Sequence, residues 1–169
     1  MRPFITSLLL SEKKDLEIAE IGVKEGKNAL EMLLNLPIKR LHLIDPYLPY
    51  KADDKFYTPE EMQESYEKML KNMTPYLPDK VKIYELSSVE AAKLFDNESL
   101  DAVYIDADHT AECVEEDIRA WFPKLRMKGL LGGHDFKNYE VIKGVAKIFH
   151  NAFNEDWLFD KILPKIIEE

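Results

Sequence analysis

The sequence predicts an α/β protein in which a doubly wound, mainly parallel sheet is flanked by helices. Two observations support this prediction. Short apolar runs of strand length alternate with segments of helical periodicity, and such alternation implies parallel strands joined by right-handed crossovers. Polar residues directly follow several of the runs, where the carboxyl edge of a parallel sheet would bring them together. We expect one domain over residues 1–169.

The first half of the chain predicts three strands and two helices. The strands are Leu16–Ile21, 40–44 and 81–86, each an apolar run of strand length. Residues 26–35 place Ala29 and several leucines on one helical face. At Thr58 a second helix begins, because a capping Thr is followed by Pro in the first turn and Glu at the capping-box position. We expect that helix to continue to about residue 72.

The second half predicts two more strands and three helices. Ser87 with Glu90 predicts another capping box before a short helix at 91–95. Leu100–Ile105 is apolar enough for the centre of a parallel sheet, and 129–133 is a short fifth strand. Apolar residues at helical spacing mark two helices: Val114, Ile118, Trp121, Phe122 and Leu125, then Val141, Ile142, Val145, Ile148 and Phe149. Residues 157–159 are a candidate last strand.

Composition argues against several classes of function. The formal net charge is −9, whereas nucleic-acid binding needs clustered Lys and Arg. Cys113 is the single cysteine, so no internal disulfide can form and a reducing cytoplasm is expected. The chain has no cleavable signal pattern and no apolar run near the roughly 18 residues that a membrane helix needs. We therefore expect neither a nucleic-acid partner nor a membrane partner.

The most informative motif is E-x-G-x-x-x-G, which follows the first strand. It places Glu20, Gly22 and Gly26 between that strand and a helix, and Asp45 then ends the second strand. Glycine lets the backbone approach a ligand closely, and a carboxylate in the position of Asp45 can bind the hydroxyls of a ribose. The motif therefore predicts a cofactor that contains a nucleoside, although an ordinary turn with two glycines would have the same pattern.

Two features of this turn favour a cationic cofactor over a dinucleotide. Lys24 stands where the dinucleotide fingerprint G-x-G-x-x-G requires glycine. Glu20 would repel a pyrophosphate, but it would tolerate a cation. A nicotinamide-dependent oxidoreductase is therefore the alternative enzyme class. A non-catalytic binding protein of the same fold is a second alternative.

Residues 100–136 make a family resemblance specific. They read L-D-A-V-Y-I-D-A-D-H at the fourth strand and G-L-L-G-G-H-D-F at the fifth. With the glycine turn, these I-D-x-D-H and G-H-D motifs resemble the small class I methyltransferases that depend on S-adenosylmethionine (SAM). The resemblance covers residue 16 to about residue 153. It implies a Rossmann-like fold, SAM as the cofactor, and methyl transfer to a small molecule, most readily at oxygen.

The resemblance also implies which residues bind the cofactor. In such enzymes the glycine turn contacts the methionine part of SAM, the acid after the second strand binds the ribose, and the residues after the third strand border the adenine. Carried over to this sequence, the cofactor-binding residues are Glu20, Gly22, Gly26, Asp45, Ser87, Ser88 and Asp106.

Asp106, His109 and His134 are the expected catalytic residues. Methyl transfer needs the reactants to be held in line and, for a poor nucleophile, the removal of a proton, which suits histidine. In related metal-dependent O-methyltransferases the corresponding positions bind a divalent cation, which implies Asp106, His134 and Asp135 as ligands. His134 departs from the usual oxygen donors, so the set suits Mn, Fe, Zn or Co better than Mg²⁺. Alternatively, Asp106 or His109 caps the following helix.

The remaining segments leave two questions open. Residues 46–57 contain Tyr47, Tyr50, Phe56 and Tyr57, and they form either a lid over the substrate or a loop whose aromatic rings pack on the body. The segment before the first strand has only about 15 residues, and the C-terminal edge of the sheet looks shortened. The pocket is then either open or completed by another subunit. An incomplete sheet edge also favours a homodimer.

Overall fold

Strands and helices alternate through the part of the chain that this computed structural model describes, residues 2–52, 55–149 and 157–160. The elements follow in this order: α1 (Pro3–Leu10), β1 (Leu16–Ile21), α2 (Lys27–Asn35), β2 (Ile38–Ile44), β3 (Tyr50–Ala52), β4 (Lys55–Tyr57), α3 (Pro59–Met73), β5 (Val81–Tyr84), α4 (Ser88–Ala92), β6 (Leu100–Ile105), α5 (Ala111–Trp121), β7 (Leu125–Gly133), α6 (Tyr139–Ala146) and β8 (Trp157–Asp160). None of the helices within these ranges has both the length and the apolar character that crossing a bilayer requires.

Six strands form the main sheet, in the order β5-β2-β1-β6-β7-β8. The first five of these strands are parallel, and β8 runs antiparallel to β7. From β1 the chain winds outward first to one edge and then to the other, which confirms the doubly wound prediction. Ligands bind beyond the carboxyl ends of the strands where the winding reverses, and here that place lies between β1 and β6.

The sheet separates two hydrophobic clusters, each covered by three helices. One cluster contains buried residues of α1, α2 and α3, and the other contains buried residues of α4, α5 and α6. Strand β1 contributes to both, because Ile18 packs into the first cluster while Ala19 and Ile21 pack into the second. Burial on both faces explains why the central strands are nearly continuous apolar runs.

The predicted capping boxes have different outcomes. At α3 the box is confirmed, since the Thr58 hydroxyl accepts from the Glu61 backbone N–H at 3.3 Å and the Glu61 carboxylate accepts from the Thr58 N–H at 3.0 Å. At α4 the predicted box is wrong. The Ser87 hydroxyl donates to the Glu90 carboxylate at 2.6 Å and makes no bond to the helix backbone.

Several elements differ from the sequence predictions. Helix α4 spans Ser88–Ala92 rather than 91–95, and Leu125 begins β7 rather than ending the preceding helix. Helix α1 precedes β1 and buries Phe4, Ile5 and Leu8 in the core. Tyr50–Ala52 pairs with Lys55–Tyr57 as the antiparallel hairpin β3–β4, separate from the main sheet. Strand β7 begins four residues earlier than predicted, at Leu125, with a register irregularity against β6. The candidate strand near residue 157 is confirmed as β8.

Candidate functional site

A cavity of about 810 Å³ opens at the carboxyl ends of β1, β6 and β7. The turn after β1, the loops after β6 and β7, the hairpin β3–β4 and Arg2 all contribute to its wall. The backbone bonding of the sheet continues past the strand ends and brings these loops together. Asp106 N–H donates to Ile21 C=O at 2.7 Å, and His134 N–H donates to Ile105 C=O at 3.0 Å.

The structure brings only part of the predicted site to the cavity wall. The predicted residues that line it are Glu20, Gly22, Asp106, His109 and Asp135. The predicted residues that do not line it are Gly26, Asp45, Ser87, Ser88 and His134. The contacts of each residue explain why it lies inside or outside the cavity lining.

Glu20 is a buried acid in the cavity wall. Its side chain is 1% exposed, and its Oε1 accepts a hydrogen bond from Asn28 Nδ2 at 3.0 Å. Glu20 Oε2 and Asn28 Oδ1 are both buried without a hydrogen-bond partner. Burial raises the pKa of Glu20 to about 8. When Glu20 is ionised, the wall offers two unsatisfied acceptor atoms, an arrangement that costs free energy unless a ligand supplies donors.

Gly22 is required by a contact between two backbones. Its φ is +80°, and a Cβ at this position would lie 2.2 Å from the Asp106 carbonyl oxygen. The absent side chain therefore makes room for the loop after β6, which packs directly against the glycine turn. Gly26 also has a positive φ, but a Cβ there would point at Met69 of α3 rather than into the cavity.

Asp45 holds the glycine turn in place. Its Oδ2 accepts from the backbone N–H groups of Val23 at 3.0 Å and Lys24 at 2.9 Å, and its Oδ1 accepts from Tyr47 N–H at 2.9 Å. The side chain is 8% exposed. Asp45 therefore stabilises the glycine turn, a structural role that its position after the second strand did not predict.

Ser87 and Ser88 lie on the far side of β2, at the start of α4. The Ser87 hydroxyl is bonded to Glu90, as described above, and the Ser88 hydroxyl accepts from Trp121 Nε1 at 2.9 Å. Asp117 also bonds Ser88, and burial raises the pKa of Asp117 to about 6. Ser88 thus belongs to a polar contact between α4 and α5, and its predicted adenine contact stays a prediction.

Asp106, His134 and Asp135 form a cluster at the ends of β6 and β7. One ligand atom from each lies within 4.8 Å of the others. His134 Nδ1 is 3.0 Å from Asp135 Oδ1 and 3.7 Å from Asp106 Oδ1. Asp135 has a φ of 54°, which Asp adopts more readily than most residues, so the backbone turns sharply where the cluster forms.

His109 approaches the same two carboxylates from the start of α5. Its Nε2 lies 3.3 Å from Asp135 Oδ2 and 3.7 Å from Asp106 Oδ1, yet it is buried without a properly oriented hydrogen bond. The Asp106 carboxylate, followed by the charge of Asp135, raises the pKa of His109 above its usual range. His109 is therefore a charge partner of the acid pair and a candidate for proton transfer.

The alternative of a helix cap for Asp106 or His109 is wrong. Thr110 is the cap of α5, and its hydroxyl accepts from the Cys113 backbone N–H at 3.4 Å. Asp108 supports this turn, since its Oδ1 accepts from Thr110 N–H at 2.8 Å. Asp106 and His109 therefore remain directed at the cavity.

Arg2 and Asn28 are cavity residues that the sequence reasoning missed. Arg2 Nη1 lies 3.7 Å from Asp106 Oδ2, and the guanidinium also donates to the Tyr104 hydroxyl. Asn28 is in the first turn of α2, directly after the glycine motif. A polar residue in that turn was a usable signal for Asn28, whereas only the folding of α1 onto the sheet brings Arg2 to the site.

The comparisons with known proteins agree on the kind of protein. A family model described as a methyltransferase domain matches residues 19–136, which is more than half of the chain. No curated protein matches the sequence at a significant level.

Solved structures share the fold at low sequence identity. A protein from Corynebacterium glutamicum superposes with a TM-score of 0.64 at 16% identity, over 96% of this chain and 80% of that one. Precorrin-6y C5,15-methyltransferase from Geobacter metallireducens gives 0.61 at 16% identity, over 86% and 66%. Spermidine synthase from Thermotoga maritima gives 0.58 at 13% identity, over 92% and 55%. The chain thus spans about two thirds or less of the last two proteins.

The likeness to these structures establishes the fold, and the family model establishes the relationship. The matched residues include the glycine turn, both strand ends that carry the acid–histidine cluster, and the central strands of the sheet. The chain therefore belongs to the family of class I SAM-dependent methyltransferases.

Proposed function

We propose that this protein transfers the methyl group of SAM to an oxygen atom of a small molecule. One observation carries the proposal. A buried acid with an unpartnered oxygen, Glu20, and an acid–histidine cluster around Asp106 share a single cavity. The first feature suits a cationic cofactor, and the second suits the removal of a proton from an acceptor hydroxyl.

The residues near β1 would bind the cofactor. SAM, when bound, supplies a methyl group on a positively charged sulfur. Glu20 Oε2 and Asn28 Oδ1 fit a cationic ligand with N–H donors, because both are acceptors and both lack a partner. Ionised Glu20 would be stabilised by a cation, which offsets the desolvation that now raises its pKa. Gly22 and Asp45 would keep the turn in the shape that binds the cofactor.

The residues near β6 and β7 would act on the acceptor. His109 and His134 are the candidate general bases, and Asp106 lies 3.7 Å from a ring nitrogen of each. In this arrangement Asp106 would orient both rings and stabilise the imidazolium that forms when a proton is taken up. A hydroxyl bound beside His109, which lines the cavity, would be deprotonated as it attacks the methyl group.

A divalent metal ion is the alternative means of activating the acceptor hydroxyl at the ends of β6 and β7. Asp106, His134 and Asp135 offer two carboxylates and one imidazole at a spacing that an ion could bridge. Such a mixed donor set fits Mn, Fe, Zn or Co better than Mg²⁺. If an ion binds, these three residues would hold it, and it would lower the pKa of the acceptor hydroxyl.

Calorimetric titration separates this proposal from its alternatives. We expect SAM and its demethylated product, S-adenosylhomocysteine, to bind, and NAD to show no heat of binding. Binding of NAD in their place would support the nicotinamide alternative. Binding of SAM without methyl transfer to any hydroxylated acceptor would support a non-catalytic protein. We further propose that the partner is a small molecule rather than a nucleic acid or a membrane.

A further inference from the structure

We propose that the hairpin β3–β4 is the acceptor-binding wall of the cavity and that it selects a planar acceptor carrying a negative charge. The inference rests on the proposed function, since it names the substrate class of the same site. Two observations carry it. The aromatic rings of residues 46–57 are divided between the core and the cavity, and Lys24 joins the hairpin to the glycine turn.

The aromatic residues of the segment 46–57 serve two different purposes. Tyr47 packs on the body: it lies against the first core cluster, and its ring centroid is 4.8 Å from that of Tyr66. Tyr50 and Tyr57 belong to neither core cluster, and both line the cavity. The hairpin therefore presents aromatic surface that the fold does not use, at the site where a ligand binds.

The two tyrosines form a stacked pair, which is the hairpin wall of the cavity. Their rings are stacked with centroids 4.6 Å apart and an interplanar angle of 10°. The pairing of β3 with β4 fixes this stack, because Tyr50 is opposite Tyr57 in the register. Aromatic rings associate well with other flat rings in offset or tilted stacks. A planar acceptor can extend this stack on the Tyr50 side, because Lys24 and Lys55 lie over the Tyr57 ring. A puckered ring would meet Tyr50 at only a few atoms.

Lys24 gives this wall a positive charge. Its Nζ lies 4.5 Å from the Tyr57 ring centroid and donates to the Tyr57 hydroxyl at 3.3 Å. No carboxylate pairs with Lys24 in the described part of the chain. The neighbouring Lys27, by contrast, is paired with Glu25 at 2.5 Å. Lys24 is therefore a cation on this wall that can pair with an anionic ligand group, and Lys51 of β3 also lines the cavity.

The position of Lys24 is fixed by its backbone. Its N–H donates to Asp45 at 2.9 Å, and its carbonyl oxygen accepts from the Tyr47 hydroxyl at 2.9 Å. The cavity lining also includes Asp106 and Asp135, which would repel an anion. An acceptor should therefore place its charged group beside Lys24 and its hydroxyl beside the acid–histidine cluster.

Three matched compounds test shape and charge separately. The probes are 4-hydroxybenzoate, its neutral amide 4-hydroxybenzamide, and trans-4-hydroxycyclohexanecarboxylate, which keeps the charge but is not planar. Each is titrated by calorimetry into the full chain saturated with S-adenosylhomocysteine, so that no turnover occurs. We expect 4-hydroxybenzoate to bind at least about tenfold more tightly than the amide and about fivefold more tightly than the cyclohexane compound.

Two variants and two controls identify the residues responsible. Tyr50→Leu should remove the preference for the planar probe, and Lys24→Gln should remove the preference for the charged one. Phe56→Leu is the control for the hairpin, because Phe56 is exposed and does not line the cavity. Lys82→Gln is the control for charge, because Lys82 contacts Tyr84 at the edge strand β5. Both controls should bind the probes as the parent does.

The outcomes separate this inference from the proposed function. If S-adenosylhomocysteine fails to bind, the proposed function is overturned. If it binds and the three probes bind with equal affinity, the hairpin inference alone is overturned. The same holds if Tyr50→Leu weakens S-adenosylhomocysteine and 4-hydroxybenzoate to the same extent, since the wall would then belong to the cofactor.

Discussion

Asn28 Nδ2 donates a hydrogen bond to Glu20 Oε1 at 3.0 Å, and this bond fixes a carboxyl group that is almost completely removed from solvent. The pair satisfies one oxygen of Glu20 and leaves the other, together with Asn28 Oδ1, without a partner. A buried acid in this state destabilises the protein whenever it ionises, so its cost should be measurable without any ligand.

We predict that Glu20→Gln removes a pH-dependent loss of stability. In the unfolded chain this carboxyl ionises near its ordinary pKa of 4.5, but burial keeps it protonated in the folded protein up to about 8. Glu20 should therefore contribute a fall in the free energy of unfolding as pH rises from about 4.5 to 8, with no further change above that. Urea unfolding at pH 5, 7 and 8.5 checks this. The Gln variant keeps the Asn28 bond and should show a flatter profile, whereas Glu12→Gln, at an exposed site, should resemble the parent.

We predict that Asp45→Ala weakens both cofactor binding and folding. The change removes three hydrogen bonds from backbone N–H groups, two of them at the glycine turn, which should cost about 2–4 kcal/mol of stability. Calorimetry should show SAM binding weaker by about 1.5–3 kcal/mol. Asp45→Asn retains one oxygen acceptor and should lie between the two proteins. Unchanged SAM affinity in a folded Ala variant would rule out the ribose contact.

We predict that Gly22→Ala destabilises the protein more than Gly26→Ala does. Both glycines have positive φ, so each change should cost about 1 kcal/mol in backbone strain. At Gly22 the new methyl group also meets the Asp106 carbonyl, whereas at Gly26 it meets the flexible side chain of Met69. Thermal unfolding of the two variants tests this order. Equal melting temperatures would show that the loop after β6 shifts to accommodate the new methyl group at little cost in stability.

We predict that Mn²⁺ or Zn²⁺ binds to the chelator-treated protein more tightly than Mg²⁺. Asp106, His134 and Asp135 supply the donors, so His134→Ala should abolish the heat of binding. Asp108→Asn is a matched control, since Asp108 lines the cavity outside this cluster. Methyl transfer that continues unchanged after chelation, once an acceptor is known, would favour His109 or His134 as a simple base.

We predict that the protein forms a homodimer. Strands β5 and β8 are the two edges of the main sheet in the described chain, and edge strands carry unpaired backbone groups that proteins usually cover. Light scattering at micromolar concentration should give twice the mass of 19.7 kDa. A monomer under these conditions would contradict the expectation.

Hydrophobic pattern predicted the central part of this fold well, because burial on both faces leaves little choice of residue. Strands β1 and β6 begin and end at the predicted residues. The hairpin β3–β4 escaped prediction because its strands are three residues long, follow two prolines and do not join the main sheet. Helix α1 was not predicted, because the segment before the first strand has only about 15 residues and carries no capping motif.

The candidate site was predictable where chemistry follows a strand end and unpredictable where tertiary packing decides. Glu20, Asp106 and Asp135 reach the cavity because they lie at or just beyond the carboxyl ends of central strands. The involvement of Arg2 depends on how α1 docks, and no local pattern encodes that. Asp45 could be identified as polar and well placed, but its bonds to Val23 and Lys24 depend on how the turn closes.

The backbone contact at Gly22 also limits how the loop after β1 can move relative to the loop after β6. Strand β1 leads into the half of the sheet that would bind the methyl donor, and β6 leads into the half that would bind the acceptor. At Gly22 the two halves meet at main-chain atoms, because a glycine places no side chain between them. The spacing at this point is therefore set by the backbone, and changes of side-chain rotamer in the core should alter it little.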